Sequence, residues 1–435
     1  MNYLKFIENM IRFFQKYPIT ILVIFSLIFR ILFYFFNQNI LLPNDSQTYI
    51  DLANLISSGS ITGYFGGRSP GYSLLIVFLG NSLQFVVFFQ IVIGLFSAVL
   101  WYKILKYFQI SSILSLLITL FFSSFIHVLS YENSILIETI NLFLIILLIY
   151  SILKKQILET IFCLTILVLL KPFYIYLPFI VFTYLVYNNF NLKVIIKQRI
   201  ILLILPLFVF ISWSYVNYLN TGYFVSSTYF GLNKIQNCVN FIEKAPEEFN
   251  WIKVPYLKQR ELHSENNLGN PMCIWYAVDK GDFVNKKMSF PQLSNEFGKC
   301  ADVTIKNNFG LYIKQVIFLS FKEFWNVEMV CVNSFENNKG ILYVWNFERI
   351  FLRIIKTIFL FLIPVYIFIF LKNRLFTIEL LLILIVFSTA ILQSLVVYGS
   401  NARYGFPFEF IMITIVTLFI KNNFFTKKNE ATFTK

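Results

Sequence analysis

LLPNDSQTYIDLANLISSGSITGYFGGRSPGY, residues 41–72, is a polar loop between two long apolar runs. It holds Asp45, Asp51 and Arg68, whereas the flanking runs carry almost no charge. Apolar residues after Asn44 recur at spacings of three and four, which predicts a short amphipathic helix on the membrane surface that ends at Gly59. Asp45 would lie at or near the N-cap of this helix, and capping alone would account for an aspartate there.

The composition is typical of a polytopic membrane protein, since 58% of the residues are hydrophobic and 13% are charged. Runs of about 20 apolar residues must be helices, because only a helix satisfies its own backbone hydrogen bonds in hydrocarbon. We therefore expect an all-α bundle of about ten transmembrane helices, in a range of about 8–12. The predicted spans are 17–37, 73–101, 110–130, 136–153, 156–171, 172–190, 200–218, 350–371, 375–397 and 404–421.

The basic residues recur at every second loop between these spans. They are Lys5, Arg12, Lys16, Lys103, Lys106, Lys154, Lys155, Lys193, Lys197, Arg199, Lys372, Arg374, Lys421, Lys427 and Lys428. This is the positive-inside pattern, which places both termini in the cytoplasm. The net charge of +14 then reflects membrane topology, and nucleic acid is not expected as a partner.

The pattern predicts three regions: a transmembrane module at 1–218 with its first outer loop at 38–72, an outer soluble segment at 219–345, and a transmembrane module with a cytoplasmic tail at 346–435. The outer segment holds Cys238, Cys273, Cys300 and Cys331. An even set of cysteines in an exported segment predicts two disulfides, with three pairings open, and free thiols are the alternative. The spacings lack a CxxC pair, so no metal site is predicted.

Ionisable residues lie at the predicted outer ends of several spans, where a folded bundle could gather them into one charged cavity. They are Asp45, Arg68, His127, Glu132, Glu138, Lys171, Arg403 and Glu409. Charges beside or within a membrane are costly and usually functional. Solvated loop charge is the alternative for each residue alone. For the basic face formed by Arg349, Arg353 and Lys356, we favour interfacial snorkelling over contact with lipid phosphate.

A family resemblance starts in the first loop. The order Asn44-Asp45-Ser46, then Tyr49 and Ala53, then Arg68-Ser69-Pro70-Gly71-Tyr72 resembles the first outer loop of GT-C glycosyltransferases. The similar branch contains dolichyl-phosphate-mannose protein mannosyltransferases and the bacterial lipid A aminoarabinose transferase. Weaker matches are Glu138 in Leu-Ile-Glu-Thr, Leu170-Lys171-Pro172, and Ala402-Arg403-Tyr404 with Pro407. The resemblance covers about 1–215 and 350–420 and implies a GT-C-like bundle; the cysteine-bearing segment resembles nothing in the family.

The resemblance implies a cell-envelope enzyme in the bacterial plasma (inner) membrane with its active site on the outer face. It would transfer a sugar, with inversion, from a polyprenyl-phosphate-linked donor to a glycan, lipid or protein acceptor. Asp45 would be the general base. The donor phosphate or sugar would contact Arg68, Lys171, Arg403, Tyr404 and Glu138.

Two details limit what the resemblance implies about metal and about the second loop aspartate. Many relatives have a second acidic residue where Ser46 stands, so no cofactor is expected to be required and a divalent cation would bind weakly. Asp51, six residues after Asp45 in the predicted helix, should point away from the site.

Other functions fit the same class of sequence. A polysaccharide polymerase or ligase acting on lipid-linked glycans would share location and chemistry. Its key outer loop usually lies late in the chain, whereas the acidic site here lies in the first outer loop, and the long outer segment keeps this alternative open. A lipid-linked sugar transporter or flippase would usually show paired halves or broken helices at corresponding positions, which this sequence lacks. A receptor or scaffold would leave the outer charges unexplained.

Overall fold

The computed structural model describes residues 10–188, 200–263, 269–335, 338–399 and 401–425. These residues form helices and no strand, apart from an isolated parallel bridge between Leu41 and Ser134. The predicted all-α class is therefore confirmed. Part of the predicted charge pattern lies outside the described residues: Lys5, Lys193, Lys197, Arg199, Lys427 and Lys428.

In the first half of the chain, we number ten of the described α-helices α1 to α10. They are α1 Pro18–Phe36, α2 Asn44–Ser57, α3 Pro70–Phe78, α4 Leu83–Tyr107, α5 Ser112–Ser123, α6 Ile126–Glu132, α7 Glu138–Leu153, α8 Ile157–Leu170, α9 Leu177–Tyr187 and α10 Ile201–Thr221. A 3-10 turn at Pro172–Tyr176 leads from α8 into α9.

The second half begins with short helices of the outer segment and ends with long apolar ones. They are α11 Phe230–Gln236, α12 Asn250–His263, α13 Cys273–Asp279, α14 Phe290–Asn307, α15 Phe309–Gln315, α16 Phe321–Phe324, α17 Lys339–Asn373, α18 Ile378–Val396, α19 Asn401–Gly405 and α20 Glu409–Ile420.

Six helical stretches of the described chain are long and apolar enough to cross a membrane, or seven if the bent pair α5 and α6 is counted as one span. They are α1, α4, α10, α17, α18 and the stretch Asn401–Asn423. The predicted number of about ten is not confirmed, because α7, α8 and the stretch Pro172–Tyr187 are apolar but shorter. Each predicted span nevertheless overlaps an apolar helix.

Two predicted spans are not continuous helices. The prediction for 73–101 is wrong because the chain breaks after α3, where Gly80 and Asn81 take positive φ values of 70° and 57° before Ser82 caps α4. The predicted span 110–130 is bent, because α5 and α6, which together are long and apolar enough to be one span, meet at an angle of 62°.

The two ends of the bundle differ in charge. At one end, Lys421 donates to the carbonyl of Phe108 over 2.8 Å, and Lys154 lies over the ring of Tyr107. At the other end, Glu138 begins α7 and Lys171 directly follows α8. The helices between them, α7 and α20, form the buried centre of the core.

The outer segment has a small core of its own, built by α11, α12, α13 and α14. Cys238, Cys273 and Cys300 are buried in it, whereas Cys331 packs against the core of the bundle. All five cysteines of the chain are described and all are free thiols, so the two predicted disulfides are absent from the structure. The buried thiols act as small apolar residues, and burial raises the pKa of Cys273 and of Cys300 to about 11.

Candidate functional site

Asp45 lies in the first turn of α2, the predicted loop helix. Pro43 precedes the helix as its N-cap and no side chain caps it, so Asp45 has no capping role. The predicted apolar face is buried, and it includes Tyr49, Leu52 and Ala53. Gly59, predicted as the stop, follows the end of the helix with φ 78°. The helix therefore leaves the carboxylate of Asp45 free for partners elsewhere in the chain.

Those partners are two arginines, one on each oxygen of the carboxylate. Arg68 Nη2 lies 2.5 Å from Asp45 Oδ1, and Arg403 Nη2 lies 2.6 Å from Asp45 Oδ2. Burial opposes ionisation of Asp45, but the charges and hydrogen bonds of Arg403 and Arg68 outweigh it and hold the pKa of Asp45 well below its ordinary value. Asp45 is thus a carboxylate at any working pH.

Arg68 is held by the loop and by the outer segment. Its Nε donates to Thr48 Oγ1 over 2.8 Å. Its guanidinium lies between two rings, 4.9 Å from the centre of Tyr49 and 5.0 Å from that of Tyr229. Its backbone N–H donates to the Tyr64 hydroxyl. The side chain is therefore fixed in direction before any ligand arrives.

Arg403 links Asp45 to a second carboxylate. Its Nε lies 2.9 Å from Oε1 of Glu138, which is buried at the start of α7. The other oxygen of Glu138 has no hydrogen-bond partner among the described residues. Glu138 therefore orients Arg403 through one carboxylate oxygen, and its other oxygen is left unpaired.

Lys171 completes the group, which we call the Asp45 cluster: Asp45, Arg68, Glu138, Lys171, Arg403 and Tyr404. The Nζ of Lys171 lies 3.1 Å from the ring centre of Tyr404, and the Arg403 guanidinium lies 5.4 Å from the same ring. Within the described residues, Lys171 has no ion pair with a carboxylate. All six residues predicted from sequence as catalytic or donor-binding meet at one end of the bundle.

The Asp45 cluster contains three basic side chains and two acidic ones, so one basic group has no carboxylate to balance it and could pair with an anion. Arginine offers parallel N–H groups to phosphate oxygens, and lysine offers a point charge. Burial disfavours the protonated form of Lys171, and an anion beside its Nζ would favour that form. The arrangement can therefore bind a phosphate next to a carboxylate.

A second group of charges, the Glu409 cluster, lies deeper in the bundle and consists of Glu409, His127 and Lys356. Glu409 Oε2 lies 2.7 Å from His127 Nε2, and Glu409 Oε1 lies 2.9 Å from Lys356 Nζ. Lys356 also donates to the carbonyl of Asn326 over 2.8 Å. The prediction of interfacial snorkelling for Lys356 is wrong, because its side chain is buried in this cluster.

Other charged residues of the prediction lie apart from Asp45. Asp51 is exposed and accepts from Gln47 Nε2 over 2.8 Å, which confirms that it points away. Glu132 pairs with Arg30 over 2.6 Å inside the bundle, a pair that the sequence did not suggest. Within the described ranges, no group of three or more His, Cys, Asp or Glu side chains is arranged to hold a metal ion.

Two uncharged residues of the site were not predicted from the sequence. Thr48 and Tyr229 fix Arg68, yet neither carries charge and Tyr229 is about 160 residues away in the chain. Thr48 had one available signal, since it lies one helical turn after Asp45.

The chain matches no protein-family model, no curated protein and no solved structure. The resemblance to GT-C glycosyltransferases therefore stays a prediction.

Proposed function

We propose that the chain is an integral membrane glycosyltransferase of the GT-C type, which transfers a sugar from a polyprenyl-phosphate-linked donor to an acceptor on the outer face of the bacterial plasma membrane. One observation supports this most strongly: a carboxylate shared by Arg68 and Arg403 lies at one end of an apolar helical bundle. The topology that accompanies this proposal counts the shorter helices α7, α8 and α9 as spans, which gives about ten crossings and cytoplasmic termini.

The donor phosphate would bind Arg68, Arg403 and Lys171. During transfer the bond between the anomeric carbon and the phosphate oxygen breaks, and its electron pair leaves with the polyprenyl phosphate. Cations at that oxygen stabilise the charge that develops there. Glu138 keeps the Arg403 side chain aimed at the phosphate through the contact of 2.9 Å.

Asp45 would act as the general base. The acceptor hydroxyl attacks the anomeric carbon from the face opposite the phosphate, so the configuration inverts, and Asp45 takes the hydroxyl proton as the new bond forms. Without donor, both oxygens of Asp45 are occupied by arginine N–H groups. A phosphate that takes over these N–H groups would free an oxygen of Asp45 and make it a stronger base.

The test is transfer by the purified full-length protein with a panel of polyprenyl-phosphate sugars. We expect transfer from at least one donor, and we expect Asp45→Asn to lower its rate by about 10²–10⁴-fold, the usual contribution of a general base. Asp51→Asn is the matched control, because it removes an exposed carboxylate from the same helix. Wild-type activity in Asp45→Asn would refute the assigned base, and no transfer from any donor would refute the proposed activity.

A further inference from the structure

Residues 309–324, near the end of the predicted outer segment, form one continuous helix that passes from one hydrophobic core to another. We call it the 309–324 helix, and it consists of α15, the π-helical turn Val316–Ser320 and α16. Near its start, Tyr312 is buried in the core of the outer segment. At its end, Phe324 and the next residue, Trp325, are buried in the core of the bundle. The helix therefore belongs to both regions of the molecule.

The 309–324 helix runs beside α18, from the end of α18 towards its middle. Near the start, the Tyr312 hydroxyl donates to the carbonyl of Leu395 over 2.7 Å, in the last turn of α18. Further along, the ring of Phe321 lies 6.2 Å from the ring of Phe387, which is halfway along α18. At 1.5 Å per residue, Phe387 lies about 13 Å from the end of α18. The 309–324 helix thus extends well below the end of a helix that is long enough to cross a membrane.

The chain that follows the 309–324 helix is held inside the bundle. The carbonyl of Asn326 accepts a hydrogen bond over 2.8 Å from Nζ of Lys356, the lysine of the Glu409 cluster. The next residues are not helical, and the side chains of Val327, Met329 and Val330 are buried. Irregular backbone at membrane depth is tolerated where protein surrounds it. The chain therefore reverses its direction among the helices of the bundle.

The 309–324 helix also contacts α19, the short helix that carries Arg403. The side-chain amide of Asn401 donates to the carbonyl of Ser320 over 3.0 Å. At the other end of α19, a Cβ on Gly405 would lie 2.8 Å from the carbonyl oxygen of Phe324, so a side chain there would push the two backbones apart. These contacts fix the depth of the 309–324 helix relative to the Asp45 cluster.

One surface of the 309–324 helix is apolar and exposed. Ile317 is 52% exposed and Phe318 is 63% exposed, and Leu311 is exposed one to two turns earlier. Ile317 and Phe318 lie between Tyr312 and Phe321 in the helix, and therefore below the end of α18. Large apolar side chains that the protein leaves uncovered are unfavourable in water and favourable against hydrocarbon.

Two lysines, Lys314 and Lys322, are exposed on the same helix. The Cα–Cβ bonds of a helix tilt towards its N-terminus, which here is the end nearest the outer segment. A lysine side chain is long and flexible enough to bury its methylene groups in lipid while its charge reaches the headgroups. Both lysines are therefore compatible with a helix that enters the membrane.

We propose that the 309–324 helix is a re-entrant membrane segment, and that Leu311, Ile317 and Phe318 pack against the acyl chains of the leaflet nearest the outer segment. Depth supports lipid as the partner, because the exposed surface lies alongside α18 and the chain beyond it is fixed inside the bundle. The proposal concerns a membrane contact and does not rest on the proposed enzyme activity.

The test is spin-label accessibility of the full-length protein in phospholipid nanodiscs. A nitroxide is attached to Phe318→Cys or, separately, to Ile317→Cys, and the signal of wild-type protein treated in the same way is subtracted as the background of the five native cysteines. Oxygen concentrates in hydrocarbon, whereas a nickel chelate stays in water. We expect both labels to be several-fold more accessible to oxygen than to the nickel chelate. Both side chains are exposed, so neither substitution disturbs a core.

Val254→Cys is the matched control. Val254 is 61% exposed, as Phe318 is, but it lies on α12, where Asn250 and Lys258, one turn away on each side, are also exposed. Its label should be readily accessible to the nickel chelate. Equal access of the nickel chelate to positions 318, 317 and 254 would place the surface in water and overturn the proposal. An immobilised label that neither reagent reaches would show a protein interface there, which would overturn it as well.

Discussion

The Asp45 cluster and the Glu409 cluster share one plan, a carboxylate held by two basic groups, but they differ in access. The side chains of Asp45, Arg68 and Arg403 are 28%, 17% and 17% exposed. Those of Glu409, His127 and Lys356 are 9%, 1% and 2% exposed. In an accessible cluster, a charged side chain can exchange one of its partners for a ligand. In a buried cluster, removing one charged side chain is costly, because water cannot compensate the charge that is left. By this comparison, the Asp45 cluster is the candidate binding site and the Glu409 cluster has a structural role.

The two clusters are linked through one segment of chain. Arg403 and Glu409 flank the 3-10 turn Phe406–Phe408. The ring of Phe406 stacks on Tyr131 at 4.2 Å and meets His127 edge-on at 5.5 Å. The Glu409 cluster thus anchors one end of the segment 403–409, and Arg403 at the other end of this segment contacts Asp45.

The largest expected effect on stability comes from breaking the closed cluster. Glu409→Gln leaves the Lys356 charge buried without a carboxylate, which should cost about 3–5 kcal/mol, the usual penalty for removing one partner of a buried pair. Thermal unfolding of the purified protein in detergent measures it. Asp45→Asn is the comparison variant, since its partners can reach solvent, and it should shift the transition much less. Equal shifts in both variants would contradict the distinction between open and closed clusters.

The next effect is on donor binding by the open cluster. Arg403→Gln removes a charge from Asp45, Glu138 and the incoming phosphate, and a hydrogen bond to a charged group contributes about 1.5–3 kcal/mol, so the donor KM should rise about 10–150-fold. Arg353→Gln, an exposed position on α17, is the control. A donor KM that is the same in both variants would remove Arg403 from the donor site.

A further effect, on the pH dependence of stability, concerns Glu323, which accepts a hydrogen bond over 2.9 Å from the N–H of Gly399, four residues before Arg403. Burial raises the pKa of Glu323 from 4.5 to about 7, although N–H groups of Gly399 and Asn401 act against it. The folded chain therefore binds a proton that the unfolded chain has lost. This contribution to stability is complete below pH 4.5 and disappears as the pH rises through about 7.

The unfolding temperature of the wild type should therefore fall between pH 5 and pH 8 by more than that of Glu323→Gln, in which the group no longer titrates. Glu261→Gln, on an exposed position of α12, should keep the wild-type pH dependence. Parallel pH profiles for the wild type and Glu323→Gln would show that the carboxyl of Glu323 does not titrate with folding.

Much of the site could be predicted because its residues follow local rules. The helical spacing after Asn44 and the charges at span ends mark Asp45, Glu138, Lys171 and Arg403 without reference to three dimensions. What could not be predicted is which charge meets which. Lys356 reads as an interfacial lysine on α17, because its burial depends on Glu409, which lies 53 residues later and packs beside it only in the fold.

The number of spans and the state of the cysteines were also beyond the sequence. Hydropathy counts apolar runs, but α7 and α8 have only 16 and 14 residues, and turns at Gly80 and Ser124 interrupt other runs. The even number of outer cysteines suggested disulfides, yet three pack in one apolar core and the fourth in another. An even number of cysteines cannot show whether the thiols form disulfides or pack as small hydrophobic residues.

The helix α17 is longer than the hydrocarbon core of a membrane is thick. With 35 residues, it is about 52 Å long at 1.5 Å per residue, whereas the hydrocarbon core of a bilayer is about 30 Å thick. About 20 Å of the helix therefore exceeds the thickness of the hydrocarbon core, a length that a tilt of the helix or an extension into the headgroup layer would take up. Under the proposed topology the extra length lies at the end that follows the outer segment, where Tyr343, Val344 and Phe347 are exposed apolar side chains suited to the membrane interface. α17 would then hold the outer segment at the membrane surface.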